Sequence, residues 1–282
     1  MSDPTIVAGR NPVRELLDAE PSRIEKIMLA RGSGRIEGAL EKVRKAASAA
    51  GVPVQMVPQQ ALERSAKGAV HQGVVALVAP ISYRDVDELL SQIAPTNDEV
   101  RERKPLVLAL DGVEDPHNYG AIIRSGVGAG VDAMVVTEKG MAPLSATAVK
   151  ASAGTALQAP LARTRDLGRA LGAMKERGYW VVGLEAAPEA DSRATTVWDW
   201  DWDRATVLVI GSEGRGLSVG VRKACDGLAA IPMRGPAESL NASVAAGVAL
   251  FIATKDRPAS TWGTSEWGTP EAEAEPNAPE GE

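Results

Sequence analysis

The sequence predicts an α/β protein of two domains, the larger of which is built on a parallel sheet. Its second half contains four short, continuous apolar runs, which is the pattern of strands buried on both faces of a sheet. These runs cover residues 106–110, 133–136, 180–184 and 207–210. An amphipathic helix is predicted at 166–177, and alternating strands and helices are typical of an open parallel sheet. At 282 residues the chain is long enough for two domains that each bury a core.

Residues 1–80 are predicted to form a smaller α/β domain. One predicted helix spans 11–19 and has Pro12 in its first turn, where a missing N–H is tolerated. A second spans 35–50 and is followed by Gly51, a residue that often ends helices. The predicted strands are 24–30, 52–57 and 71–78.

The remaining parts of the chain differ in composition. Residues 81–104 are polar and acidic, with one helix predicted near 86–93 and a turn cluster at 95–99, so we interpret them as a linker. The second domain is then expected to span 105–257. Residues 258–282 are rich in Pro, Glu and Gly and lack apolar periodicity, which predicts a disordered acidic tail.

Composition argues against metal enzymes and membrane proteins. Cys225 is the only cysteine, which excludes an internal disulfide, and His71 and His117 are the only histidines, so we expect no metal. No apolar run approaches the roughly 18 residues of a membrane span. The N-terminus lacks a basic and then apolar signal pattern. A cytoplasmic protein that does not bind a membrane is the expectation.

The net charge of −6 is unevenly distributed. Residues 258–282 contain six Glu and no Lys or Arg, so the rest of the chain is neutral overall. Residues 1–80 contain 11 Lys and Arg against 8 Asp and Glu, whereas 106–257 contain 16 against 17. A basic surplus in the first domain fits contact with a phosphate backbone, although a surplus of this size is also common on ordinary domains.

The segment 231–251 gives the strongest indication of a functional site. A short apolar run enters a turn at 235–236, and an Ala/Val-rich helix follows. Between them lies a polar cluster of Glu238, Ser239, Asn241 and Ser243. The first turn of a helix leaves backbone N–H groups unpaired, so a polar ligand or a catalytic group can be held there.

Two other loops follow predicted strands. The loop at 111–125 places Asn118 where a helix cap is expected and Arg124 further along that helix. The loop at 211–217 is rich in glycine, but its spacing is not that of a dinucleotide site and Glu213 would repel a pyrophosphate. Loops at the carboxyl ends of parallel strands converge on one crevice. The side chains expected on that rim are Asn118, Arg124, Glu213, Ser239, Asn241 and Ser243.

These three segments resemble the motifs of the SpoU (TrmH-type) family of RNA ribose 2′-O-methyltransferases. The matching stretches, in family order, are DPHNYGAIIRS at 115–125, LVIGSEGRGL at 208–217, and IPM at 231–233 with ESLNASV at 238–244. The resemblance covers roughly residues 5–255. Residues 7–13 and 68–75 resemble the subgroup that methylates a guanosine ribose in the peptidyl-transferase loop of 23S ribosomal RNA.

The resemblance implies a C-terminal parallel-sheet SPOUT domain with a deep trefoil knot, and an N-terminal RNA-binding domain similar to ribosomal proteins. It implies S-adenosylmethionine as methyl donor, large-subunit ribosomal RNA as partner, and a homodimer whose active sites combine residues of both subunits. By matching position, Gly211, Ile231 and Leu240 are expected to contact the donor. Further residues expected near it are Thr137, Glu213, Gly214 and Met233.

The same resemblance implies the catalytic residues. Arg124 is expected near the ribose 2′-hydroxyl of the other subunit's site, and the residues expected to position the hydroxyl and the RNA are Asn118, Glu213, Ser239 and Asn241. Because a free guanidinium has a pKa above about 12, a general base is harder to defend than electrostatic stabilisation, and the proton role of Arg124 stays open.

Other interpretations use the same residues. A non-catalytic RNA-binding ribosome-assembly factor would share the fold without binding the methyl donor. A nucleotide-dependent dehydrogenase is disfavoured because no G-x-G-x-x-G is present. Within the enzyme interpretation, transfer RNA or another ribosomal nucleotide is the alternative substrate.

Two features carry less weight. Trp198, Trp200 and Trp202 alternate as on one side of an extended strand, which suits base stacking. The aspartates between and after them would repel phosphates, so packing or a dimer contact is favoured. The acidic tail is interpreted as a solvating extension, with partner binding as the alternative.

Overall fold

In its described residues, the N-terminal unit contains a four-stranded mixed sheet and three α-helices. The structure is a computed structural model and describes residues 5–19, 21–31, 38–66, 68–79, 83–186 and 193–257. The elements of this unit are β1 (Thr5–Ala8), α1 (Arg10–Ala19), β2 (Ile24–Ala30), α2 (Ala39–Ala49), β3 (Val54–Val57), α3 (Gln59–Ala66) and β4 (Val74–Val78). The sheet order is β1-β4-β2-β3, with β2 and β3 parallel and the other two pairs antiparallel.

Most predicted elements of this unit are confirmed. The second helix starts at Ala39, and residues 35–37 of its predicted range lie outside the described residues. The third predicted strand starts at Val74 rather than at His71, because residues 71–73 form a turn in which His71 Nδ1 accepts the Gly73 N–H at 3.0 Å. The strand β1 and the helix α3 were not predicted.

The stretch predicted as a linker contains two helices. The first, α4 (Val86–Ile93), matches the prediction and buries Leu89, Leu90 and Ile93 against the sheet of the second unit. The turn predicted at 95–99 is wrong. Helix α5 (Asn97–Arg103) starts there, and Thr96 and Glu99 cap its N-terminus with a capping box.

The second unit is a seven-stranded, entirely parallel sheet with helices on both faces. Its strands are β5 (Leu106–Asp111), β6 (Ala133–Thr137), β7 (Leu161–Thr164), β8 (Trp180–Leu184), β9 (Ala194–Thr196), β10 (Thr206–Gly211) and β11 (Gly227–Ala230). Its other helices are α6 (Pro116–Ala129), α7 (Ala146–Ala151), α8 (Leu167–Glu176), α9 (Val219–Ala224) and α10 (Ala242–Thr254). The four predicted strands and the helix at 166–177 are confirmed. The strands β7, β9 and β11 were too short and mixed in composition to be predicted.

Strand β10 lies at the centre of this sheet. The order is β7-β6-β5-β10-β8-β11-β9, so β10 pairs with β5, which precedes it by about a hundred residues, and with β8. Alternate residues of each strand point to opposite faces. Leu108 therefore joins the core under α6 and α10, whereas Val107 joins the core under α4 and α8. The trefoil knot implied by the family resemblance stays a prediction.

The tryptophan motif is a turn, not the extended strand that its alternation predicted. Residues 197–200 follow β9 as a turn, and Trp200 and Trp202 pack edge to face with their centroids 6.4 Å apart. Both lie against the core, and Trp202 Nε1 donates to the Val197 carbonyl at 2.8 Å. Packing is confirmed for these two indoles, whereas Trp198 is 55% exposed.

No helix in the described ranges is long and apolar enough to cross a membrane. The predicted acidic tail, 258–282, lies outside the described residues.

The glycines of α6 permit close helix packing. A Cβ added to Gly120 would lie 2.2 Å from the Ala148 carbonyl oxygen and 2.7 Å from the Ala151 Cβ, both on α7. Helix propensity alone disfavours glycine here, so the contact between α6 and α7 explains its presence.

We expect Gly120→Ala to destabilise the protein by about 1–3 kcal/mol, because the added methyl group has no space and α7 must move. The matched control is Gly172→Ala in α8, where no atom lies within 4 Å of the added Cβ. There, the better helix propensity of alanine should stabilise by about 0.5–1 kcal/mol. Urea denaturation at constant m-value measures both changes, and equal shifts in the two variants would contradict the packing explanation.

Candidate active site

Four connections, those after β5, β8, β10 and β11, meet at the carboxyl edge of the sheet around β10. The loop after β10 is flanked by those after its neighbours β5 and β8, and the segment after β11 crosses the same edge to enter α10. In open parallel sheets, ligands bind at this edge, where the strand order changes direction.

A cavity of about 620 Å³ lies between the loops after β8 and β10 and the segment that enters α10. Six of the seven residues predicted to hold the methyl donor line it: Gly211, Glu213, Gly214, Ile231, Met233 and Leu240. Ser239 and Asn241, two of the predicted catalytic residues, line it as well. The structure therefore brings the second and third predicted loops together around one volume.

A chain of hydrogen bonds runs through Asn118 and joins the three site loops predicted from the sequence, at 111–125, 211–217 and 231–251. The Asn118 side chain is 8% exposed and donates from Nδ2 to Glu213 Oε1 at 2.8 Å. Its Oδ1 accepts a hydrogen bond from Asn241 Nδ2 at 3.1 Å. Asn241 caps α10, and its Oδ1 accepts from the Ser243 N–H at 2.9 Å and from the Ser243 hydroxyl at 2.6 Å.

The chain fixes the orientation of both amides. A backbone N–H can only donate, so the Asn241 atom that faces Ser243 must be its carbonyl oxygen. The Asn241 NH₂ group then faces Asn118, which must present its own carbonyl oxygen in return. This leaves the Asn118 NH₂ group to donate to the Glu213 carboxylate. Each amide retains a second N–H, and Glu213 retains Oε2, so the arrangement presents donors and an acceptor in fixed directions.

Gly211, at the end of β10, allows the next loop to fold back on the strand. The Ser212 and Gly216 backbones exchange hydrogen bonds at 3.0 and 2.9 Å. A Cβ on Gly211 would lie 2.3 Å from the Gly216 carbonyl carbon and 2.6 Å from the Leu217 nitrogen. Only glycine fits this position, and its bare backbone forms part of the cavity wall.

The walls of the cavity suit a ligand with apolar and cationic parts. Leu184, Ile210 and Ile231 supply apolar surface. Glu213 and Glu185 supply negative charge, although Glu185 Oε1 also accepts from Arg222 Nε at 2.8 Å. S-adenosylmethionine combines an aromatic base with a sulfonium and an ammonium group, so these residues fit it.

Two predicted site residues lie elsewhere. Arg124 is exposed on α6 and does not line the cavity, so the single rim expected from the loop positions is wrong for this residue within one chain. Its expected place in the site of the other subunit stays a prediction. Arg124 lies six positions after Asn118, which turns it to another face of the helix. Thr137 ends β6, two strands away from β10, and lines a smaller crevice, where its hydroxyl donates to the Lys139 carbonyl at 3.0 Å.

The site also contains residues that were not predicted. Glu185 directly follows β8, so the rule that selected the loops after β5 and β10 would have found it. Arg215 forms an ion pair with Glu114 of the first loop at 2.5 Å. No sequence signal indicates this pair, because it depends on β5 and β10 being neighbours.

Two family models match the chain. The SpoU rRNA methylase family matches residues 105–251, and the RNA 2′-O-ribose methyltransferase substrate-binding family matches residues 6–84.

Similar proteins carry matching names. The 23S rRNA (guanosine-2′-O-)-methyltransferase RlmB of Escherichia coli (strain K12) is 37% identical over 252 residues, which are 89% of this chain and 98% of that protein. The RlmB of Vibrio vulnificus is 36% identical over 258 residues, or 90% and 98% of the two chains. An uncharacterized tRNA/rRNA methyltransferase of Mycobacterium marinum is 40% identical over 252 residues, or 89% and 77%.

Solved structures share the fold. An AdoMet-bound rRNA methyltransferase from Sinorhizobium meliloti superposes with a TM-score of 0.51 at 25% identity, covering 89% of this chain and 86% of that one. The SpoU methyltransferase AviRb from Streptomyces viridochromogenes, in complex with AdoMet, gives 0.53 at 24% identity and covers 89% of each chain. With the family matches and the identity to RlmB proteins, these findings show that the chain belongs to the SpoU family of RNA ribose methyltransferases.

Proposed function

We propose that this enzyme transfers a methyl group from S-adenosylmethionine to the 2′-oxygen of a guanosine ribose in 23S ribosomal RNA. The observation that carries the proposal is the fixed chain of Asn118, Glu213 and Asn241 beside the cavity that Gly211 keeps open. The choice of a 23S guanosine is supported by the names of relatives that match over nearly their whole length.

The donor would be held in the cavity by the backbone near Gly211 and by Ile231, Met233 and Leu240. When bound, S-adenosylmethionine supplies an electrophilic methyl group on a positively charged sulfur. The chain's own residues need only present the ribose oxygen and accommodate its lost proton. The second N–H of Asn118 and of Asn241 can hold ribose or phosphate oxygens, and Glu213 Oε2 can accept the hydroxyl hydrogen bond.

Arg124 would act on the site of a second copy. Residues 244, 248 and 251 of α10 form an apolar stripe at helical spacing, and Val244 and Phe251 are 51% and 57% exposed. Helix α6 packs beside α10, with Gly128 against Phe251, and Arg124 is exposed one turn before Gly128. A second copy that covers the stripe would therefore bury this face and receive Arg124. Its guanidinium would stabilise the alkoxide that develops on the ribose.

The N-terminal unit would deliver the RNA. Its sequence carries a surplus of three positive charges and matches the substrate-binding family over residues 6–84. A phosphate backbone is attracted by such a surplus, and the interaction should weaken with salt. A cytoplasmic location follows from a ribosomal RNA substrate.

Mapping of ribose methylation in 23S RNA from a deletion strain tests the function. We expect one guanosine to lose its 2′-O-methyl group and to regain it when purified protein and S-adenosylmethionine are added to the unmodified RNA. Loss of a methyl group from transfer RNA alone would overturn the choice of substrate. Unchanged RNA together with no binding of S-adenosylmethionine in titration calorimetry would favour an assembly factor instead.

We expect Gly211→Ala to weaken binding of S-adenosylmethionine by at least about tenfold, since the methyl group collides with backbone and forces the 211–217 loop into the cavity. Titration calorimetry gives the dissociation constant. Gly220→Ala in α9 is the matched control, because no atom lies within 4 Å of its added Cβ, and its dissociation constant should stay within about twofold. Wild-type affinity in Gly211→Ala would exclude this loop from the donor site.

Mixing two inactive variants tests whether Arg124 acts across subunits. Arg124→Ala and Asn118→Ala should each lose most methyl transfer, about a hundredfold, as when one positioned polar group is removed from an active site. If Arg124 serves the partner's site, each mixed dimer contains one intact site, and equal mixing should restore roughly a quarter of wild-type activity. Size-exclusion chromatography with light scattering confirms that dimers form. Absence of recovery in proven mixed dimers would place Arg124 in its own subunit's site.

A further inference from the structure

A buried polar cluster joins the N-terminal unit to the methyltransferase sheet. At its centre is Glu25 of β2, whose side chain is 9% exposed. Its Oε1 accepts hydrogen bonds from the Leu144 N–H and the Tyr83 hydroxyl, both at 2.9 Å. Its Oε2 lies 3.4 Å from Arg163 of β7. Three of these groups thus come from beyond residue 82 and converge on one carboxylate of the first unit.

Arg163, which belongs to the second unit, in turn contacts the backbone of the first unit. Its side chain is also 9% exposed, and its Nη2 donates to the carbonyls of Ser22 and Ile24 at 2.8 and 3.2 Å. Its guanidinium also stacks over the Tyr83 ring at 4.4 Å. A planar guanidinium with several fixed partners defines an orientation more narrowly than a single contact does.

The buried charges make this junction selective for one arrangement. Burial raises the pKa of Glu25, and the positive charge of Arg163 opposes that rise. Separating the units would expose both groups to water, whereas any shifted docking would bury one charge without its partner at a high cost. The cluster therefore favours one orientation of the units over neighbouring ones, even if it adds little net stability.

A second link runs from this cluster to the active site. The Tyr119 hydroxyl lies 3.4 Å from that of Tyr83, and burial raises the pKa of both, so both keep their protons. Because Tyr83 donates its one proton to Glu25, Tyr119 donates to Tyr83. Tyr119 is the next residue after Asn118 in the first turns of α6. Its side chain reaches the junction, whereas that of Asn118 reaches Glu213 and Asn241.

We propose that Glu25 and Arg163 are positioning residues for methyl transfer: they hold the RNA-binding unit in one orientation against the methyltransferase sheet, in register with the α6 turn that carries Asn118. This inference rests on the proposed function for its RNA substrate. RNA that is gripped by the first unit then arrives at Asn118 in a fixed position.

Glu25→Gln tests the inference, because it keeps the shape of the side chain and removes its charge. The matched control is Glu41→Gln, the same change in an exposed pair with Arg44 on α2 of the same unit. We expect Glu25→Gln to raise KM for the 23S RNA substrate about tenfold or more with a smaller change in kcat, and Glu41→Gln to raise neither. Binding of S-adenosylmethionine alone should stay within about twofold in both.

Amide hydrogen exchange at Leu144 reports on the junction directly, since its N–H is held by Glu25. Exchange at this amide should speed up about tenfold or more in Glu25→Gln and stay unchanged in Glu41→Gln. Tyr83→Phe, which removes only one hydroxyl, should change KM and exchange in the same direction by a smaller factor. Tyr83→Phe serves as the test variant if the Glu25→Gln protein does not fold.

Three results would overturn the inference. They are an unchanged KM for RNA, an unchanged Leu144 exchange rate, or a loss of donor affinity in parallel with RNA affinity, which would indicate general destabilisation. If wild-type protein methylates no RNA, the proposed function fails. The exchange rate of Leu144 and small-angle scattering of the variants then still decide whether Glu25 fixes the two units.

Discussion

The pairing of β10 with β5 and β8 is the constraint on which the rest of the molecule depends. Parallel strands bring their carboxyl ends to one edge, so this pairing places the 211–217 loop beside the loop that enters α6. Asn118 and Glu213 are 95 positions apart in the sequence, and this strand pairing brings them into contact. The same strand contributes residues to the cores on both faces, so site and stability share one element.

Asn118 is the residue through which the fold connects the loops of the candidate site. A buried amide needs hydrogen-bond partners, and Asn118 finds two of them, Glu213 and Asn241, on loops that follow other strands. The α6 turn that holds it also carries Tyr119 toward the N-terminal unit. One helical turn thus contacts the loops around the cavity on one side and the junction with the N-terminal unit on the other. If this first turn of α6 is rigid, the position of the N-terminal unit at Tyr119 is coupled to the position of the Asn118 side chain.

The two halves of the molecule match different family models. The parallel sheet, which matches the SpoU rRNA methylase family, carries the cavity and the fixed hydrogen-bonding groups, whereas the mixed sheet matches the substrate-binding family. The apolar helix α10 has a buried face and an exposed face. Ala246, Ala249 and Leu250 are buried in the core, whereas Val244 and Phe251 are exposed. Val244 and Phe251 are left uncovered in the single chain, and Arg124 lies outside the cavity of that chain.

Hydrophobic patterning was sufficient to predict the fold class and the central strands, because buried parallel strands leave continuous local patterns. The residues expected to hold the donor came instead from the resemblance to the SpoU family; six of the seven line the cavity, and their contact with the donor stays a prediction. The sequence could not show that Thr137 lies away from the cavity, because a position at the end of a strand does not say which neighbours tertiary packing supplies. It also missed α5, whose Thr96 capping box lies inside an apparent turn cluster. The buried junction between Glu25 and Arg163, 138 positions apart, becomes visible in the folded chain alone, since such a pair leaves no local pattern in the sequence.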